Sequence, residues 1–182
     1  MFSLKNFRAN LKPARPNLFI AYLDGAPDFG VDSDIKNTFS FRVEQAEFPG
    51  KTIATQDVVG AGTPLRLASE ITYADITLTI ICSDDFKERK YFENWMDEIL
   101  GTPNRSPNRR PGRYGLLRYY NDYAKGKEMR IVQLNAKGDQ IFTYKLHDIY
   151  PIAMSTMTAS WEESNTYQRF TVTFNYRYHS FI

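Results

Sequence analysis

His147, His179 and Cys82 are the side chains of this sequence best suited to acid–base, nucleophilic or metal chemistry. The two histidines and the lone cysteine show no metal-ligand spacing. A Ser–His–Asp set could come together from distant parts of the chain. No nucleophile-elbow pattern around a serine supports one. Gly60-Ala61-Gly62 starts like a phosphate-binding loop but lacks the following Gly, Lys and Ser/Thr, and it opens no helix. It reads as a flexible loop. Asp32-Ser33-Asp34 begins like a calcium loop without the required glycine and terminal glutamate, and reads as a solvated turn. These spacings predict no cofactor, no metal and no catalytic centre.

One segment stands out by charge. Arg105, Arg109, Arg110, Arg113 and Arg118 lie between Thr102 and Arg118 with no acid among them. Pro103, Pro107 and Pro111 recur every four residues, which predicts an extended loop. Tyr114, Tyr119 and Tyr120 follow. Arginine beside tyrosine can grip nucleic acid through phosphates and stacking. The plainer reading is a solvated or subunit-contacting loop, and no second basic patch elsewhere argues against it.

The elements that would position such residues are mostly strands. Phe170, Val172, Phe174, Tyr176 and Tyr178 alternate with Thr171, Thr173, Asn175 and Arg177, which predicts a strand with one apolar and one polar face. Tyr73 to Cys82 repeats the pattern, with Ile76, Leu78 and Ile80 against Thr77 and Thr79. Asn17 to Leu23 and Thr38 to Glu47 read as strands, the latter with Phe39, Phe41 and Val43 on one side. Asp28 to Asn37 and Lys51 to Leu65 read as polar loops. Met129 to Leu134 and Gln140 to His147 predict a hairpin around Lys137-Gly138-Asp139. Met154 to Trp161 is expected to pair with the closing strand around Glu163-Ser164-Asn165. A single helix is expected: Phe92, Trp95, Met96, Ile99 and Leu100 form one apolar stripe, Ser83 to Asp85 suit its N-cap, and Gly101 and Pro103 end it.

This pattern predicts an all-β fold with one α-helix, a barrel-like sandwich of two packed antiparallel sheets. Residues 1–16 are expected to form an N-terminal arm and residues 17–182 a single β-barrel domain. A chain of 182 residues, 42% hydrophobic and 24% charged, can bury a sizeable core. A net charge of +2 gives no general drive toward nucleic acid or anionic lipid. Met1 to Lys12 lacks an apolar signal core, and no segment is apolar enough to span a membrane, so no stable membrane association is expected. A single cysteine suits a reducing compartment, and Cys82 is expected to be buried and inert.

The order of several pieces resembles the tail tube proteins of contractile-tailed bacteriophages and their baseplate tube initiators. The pieces are Ala14-Arg15-Pro16-Asn17-Leu18-Phe19, Phe48-Pro49-Gly50, Ile76 to Asp84, Phe92-Glu93-Asn94-Trp95, Ile149-Tyr150-Pro151-Ile152, Trp161 with Ser164-Asn165, and Phe170 to Tyr178. The resemblance implies a non-catalytic subunit that joins a homo-hexameric ring. Such rings stack into a hollow tube in the virion tail, assembled in the host cytoplasm. Its partners would be the tail sheath and the baseplate hub or tube initiator, with phage DNA passing without sequence specificity.

Under that reading Thr77, Thr79, Thr171, Thr173, Asn175 and Arg177 would line the lumen, since hydrated hydroxyl and amide groups offer DNA bases no apolar patch. The long Lys51–Leu65 segment, with Val58 and Val59, is expected to reach a neighbouring subunit. Leu4 and Phe7 of the N-terminal arm are the second such candidate. Arg105, Arg109, Arg110 and Arg113 are expected at a subunit or ring-to-ring surface, paired with carboxylates. The alternatives are a tube initiator that nucleates the tube, a tube of a related secretion machine, a ligand-binding barrel and, least favoured, a nucleic-acid-binding enzyme.

Overall fold

In the computed structural model, the structure describes residues 14–27, 34–60, 62–100, 117–161 and 166–182. Along the chain run β1 (Phe19–Asp24), α1 (Asp34–Arg42), β2 (Val43–Ala46), β3 (Lys51–Val58), β4 (Leu65–Tyr73) and β5 (Ile76–Ile81). Then come α2 (Lys87–Leu100), α3 (Tyr120–Tyr123), β6 (Glu128–Leu134), β7 (Gln140–His147), β8 (Tyr150–Met154), β9 (Arg169–Asn175) and β10 (Tyr178–Phe181). The strands form one sheet ordered β1-β6-β7-β10, a second ordered β2-β5-β9-β8, and a separate β3-β4 hairpin. All pairings are antiparallel.

Alternation in the sequence explains the core. Ile76, Leu78 and Ile80 of β5 stand opposite Phe174, Val172 and Phe170 of β9, and all six are buried. Residues paired across an antiparallel ladder share a face. From the other sheet, Ala21, Leu23, Met129, Ile131 and Leu146 meet them in one continuous cluster. The expected two-sheet sandwich is therefore present.

The α2 helix closes that core. Phe92, Trp95 and Ile99 are buried, and Phe92 meets Phe174 edge-on at 5.7 Å and Phe170 at 6.2 Å. The helix thus covers the same face of the β9 sheet that holds the core, not an outer face. Its start differs from the expected cap at Ser83 to Asp85. Glu88 is buried, and its carboxylate accepts hydrogen bonds from the Ser83 backbone N–H at 2.9 Å and hydroxyl at 2.7 Å. This link draws the incoming chain back onto the helix, and Phe86 takes a positive φ of 53° to allow it.

Several expectations fail for physical reasons. Thr38 to Arg42 belongs to α1 and not to a strand, so part of the expected loop and part of the expected strand are helical. Phe39 is buried while Phe41 is 85% exposed. Two residues apart on a helix is about 200°, so the pair splits between core and solvent. More than one helix is therefore present, and α3 occupies part of the Tyr-rich segment. The Lys51–Leu65 segment is not a loop but most of a hairpin. On the side of β9 away from β5 the partner is β8, which ends at Met154 and not at Trp161; Trp161 lies fully in solvent. The closing strand is two strands. Tyr176 stays buried, but the chain leaves the second sheet after Asn175 and joins the first as β10, so Tyr178 is partly exposed.

Candidate assembly surfaces

Register places four threonines in a block. Thr77 stands opposite Thr173 and Thr79 opposite Thr171, on the face of β5–β9 away from the core. The Thr77 and Thr173 hydroxyls approach to 3.4 Å. At one end Asn175 Nδ2 donates to Asp75 Oδ1 at 2.8 Å. At the other, the Thr171 N–H donates to Ser155 Oγ at 2.9 Å, and Arg169 pairs with Glu44 at 3.2 Å. A shallow cleft there is lined by Glu44, Gln45, Thr79, Ser155, Arg169 and Thr171. Five of the six expected lumen residues thus share one polar face. Arg177 lies past the end of β9 in the link to β10 and pairs with Asp148 at 3.6 Å.

The β3–β4 hairpin is the second surface. Every residue of β3, and every residue of β4 before Tyr73, is exposed. The hairpin therefore stands off the body as an arm. Val58 and Val59, expected as anchors, sit at its tip and are exposed, Val59 to 76%. Sequence reasoning missed Ile53, Leu65, Leu67 and Ile71, which are also exposed on the arm. The Leu65-Arg66-Leu67 alternation was the available signal. Across the tip, Arg66 pairs with Asp57 at 3.0 Å.

An aromatic cluster roots the arm. Tyr73, at the end of β4, packs on His179 at 5.1 Å and Tyr176 at 5.8 Å. Tyr144 meets His179 at 5.6 Å and Phe48 at 5.6 Å. Burial, with Tyr73 and Asp75 nearby, pushes the Tyr176 hydroxyl up to about 12, and it donates to Gly50 O at 3.4 Å. Burial, followed by the Lys51 ammonium, holds His179 below its ordinary value. Its Nδ1 is buried with no partner among the described residues.

His147 has the geometry of a relay. Its Nε2 lies 3.0 Å from Ser180 Oγ and its Nδ1 3.0 Å from Glu128 Oε1. Sequence could not find this set, because its members come from three strands. Lys145 also binds Glu128 at 2.8 Å, and the ring stacks on Tyr178 at 4.5 Å. Neither the Glu44–Arg169 cleft nor the cleft between α1 and the start of α2 is lined by any member of the set. The set ties β10 to β7 and β6, the next two strands of the same sheet.

Cys82 is half-buried rather than buried, with its thiol pushed up by burial and by Glu88. Among the described residues no cluster of three His, Cys, Asp or Glu could hold a metal ion, and no helix is long and apolar enough to cross a membrane. Leu4, Phe7, Arg105, Arg109, Arg110 and Arg113 lie outside the described residues.

A family model described as phage tail tube protein matches residues 5–182. Tail tube protein gp19 of Enterobacteria phage T4 is 22% identical over 163 residues, covering 88% of this chain and 86% of gp19. A chain of the anti-feeding prophage baseplate matches with a TM-score of 0.62 and 13% identity, covering 94% of this chain and 96% of its own length. A chain of the sheath–tube complex of an extracellular contractile injection system matches with a TM-score of 0.60 and 13% identity, covering 100% and 99%. At such identity the structural likenesses speak to the fold alone, a mostly-β arrangement of packed antiparallel sheets with few helices.

Proposed function

The chain belongs to the phage tail tube protein family, whose members are structural proteins and not enzymes, and we propose that it is the repeating subunit of a tail tube. Six copies close a ring, and rings stack around a channel that conducts DNA. The observation that carries this reading is the arm. The body has a complete core of its own, yet a two-stranded hairpin stands off it with apolar side chains in water. An isolated hairpin is at best marginally stable in water, so it needs a partner surface. Covering a Val, Leu or Ile side chain contributes about 1.5–3 kcal/mol, and the arm exposes several.

The polar face of β5–β9 forms the channel wall in this account. Thr77, Thr79, Thr171, Thr173 and Asn175 present hydroxyl and amide groups that stay hydrated. With no formal charge among them, they neither clamp phosphates nor hold bases. Arg177, engaged by Asp148, stands at the rim. In this reading the tail is contractile, with a sheath around the tube and a baseplate hub beneath it; chains of similar fold come from a contractile injection system's sheath–tube complex and from a baseplate. Arg105, Arg109, Arg110 and Arg113 are assigned to a subunit or ring-to-ring contact. A baseplate tube initiator is the competing reading, since a baseplate chain shares the fold.

Electron microscopy of the purified protein separates these readings. Extended tubes are expected. Isolated rings that never stack favour the initiator, and monomers at all concentrations reject both.

A further inference from the structure

The arm is apolar on both faces, but at different heights. Ile53 pairs with Ile71 and Lys51 with Tyr73, so these four share one face near the body. The register shifts between Ala54 and Thr55, where Ser69 is the extra residue on β4. Beyond it Gln56 pairs with Leu67 and Val58 with Leu65. Successive residues of β3 point to opposite faces. Val58, Leu65 and Leu67 therefore lie on the face opposite Ile53 and Ile71. At the tip, the Ile53 face carries the Asp57–Arg66 ion pair instead. Near the body, the opposite face carries the Thr52–Thr72 and Ala54–Glu70 pairs. Ile53, Ile71, Val58, Leu65 and Leu67 are each about half exposed or more. One partner lying flat on either face would cover one apolar patch and leave the other in water.

We propose that each arm is held between two other copies of this chain, one on the Ile53–Ile71 face beside the body and one on the Val58–Leu65–Leu67 face at the tip. The proposal rests on the tube reading. A tube of stacked rings needs two different head-to-tail contacts, one that closes by rotation and one that repeats along the axis. An arm with two opposed patches can serve both. The Ile53–Ile71 patch runs into Tyr73 and the aromatic cluster of the body, so its partner must also abut the body. That partner is the neighbour within the ring. The tip patch is carried at the far end of β3, an 8-residue strand, and thus roughly 27 Å from the root. That reach suits a copy in the next ring.

Two double variants test this: Ile53→Ser with Ile71→Ser, and Val58→Ser with Leu67→Ser. All four positions are exposed, and circular dichroism with a thermal melt verifies that the body stays folded. Mass photometry and electron microscopy then size the particles. The unmodified chain should form tubes, the tip variant rings that do not stack, and the base variant monomers. If the unmodified chain forms tubes and both variants give the same particle, or both still give tubes, the two-partner arm is wrong while the tube reading survives. If the unmodified chain forms no ring or tube, the tube reading itself fails.

Discussion

Phe174 shows how single residues hold this molecule together. It is fully buried, opposite Ile76, with the rings of Phe92 and Trp95 against it. Phe174→Ala should cost about 3–5 kcal/mol in urea denaturation, through the cavity it leaves. Thr173→Ala on the other face should cost far less, since its side chain leaves no core cavity and its hydroxyl meets Thr77 at 3.4 Å. His179 gives a pH prediction with a definite sign. Its folded pKa lies below the unfolded value of about 6.5. The unfolded chain therefore binds the extra proton first, and stability falls as pH drops below about 6.5. His179→Phe should keep the aromatic packing and remove that part of the acid sensitivity, read as a smaller difference in melting temperature between neutral and mildly acidic buffer. The burial of Phe170, Val172, Phe174 and Tyr176 was legible, because one residue type recurs at the period of a strand. The His147–Ser180–Glu128 set was not, because nothing local encodes which strands become neighbours.

Among the elements, those whose buried face repeats at one clear period were legible, and those without such a repeat were misread. Helix α2 announced itself by its stripe of Phe92, Trp95 and Ile99. Helix α1 did not, since Phe39 and Phe41 two residues apart mimic a strand, and only the packed fold shows one inside and one out. The arm hid for the opposite reason. Both its faces are wet in the monomer, so Lys51 to Val58 lacks the alternation that marks a half-buried strand. The arm's independence from the body gives the next prediction. Replacing residues 53–71 by a short turn should leave the melting temperature of the body nearly unchanged and abolish assembly, measured by calorimetry and light scattering. Tubes from that variant would remove the arm from the assembly contact. The arginine-rich segment calls for a parallel measurement. Changing Arg105, Arg109, Arg110 and Arg113 to glutamine should weaken assembly most at low salt, where charge pairs matter most. If assembly is unchanged and DNA retention or ejection shifts instead, those side chains face the channel.

For the whole molecule, two packed sheets with α1 and α2 against them make a self-sufficient body, and the arm and the threonine face are what that body leaves unspent. The first asks for neighbours and the second for water. A ring wall satisfies both, because neighbours surround each subunit while one face stays open to a solvent-filled channel. The sequence pointed to that arrangement through its resemblance to tail tube proteins, and the family match over residues 5–182 bears out that resemblance. Ring size entered only through that resemblance, and the subunit's orientation only through the polar face of the closing strand, because both depend on contacts between copies. A cryo-electron microscopy reconstruction of the assembled protein tests the account most directly. The account predicts six copies per ring, the Thr77–Thr173 and Thr79–Thr171 pairs facing the channel, and each arm covered by other copies. A channel lined by a different sheet, or arms left free in solvent, would contradict it.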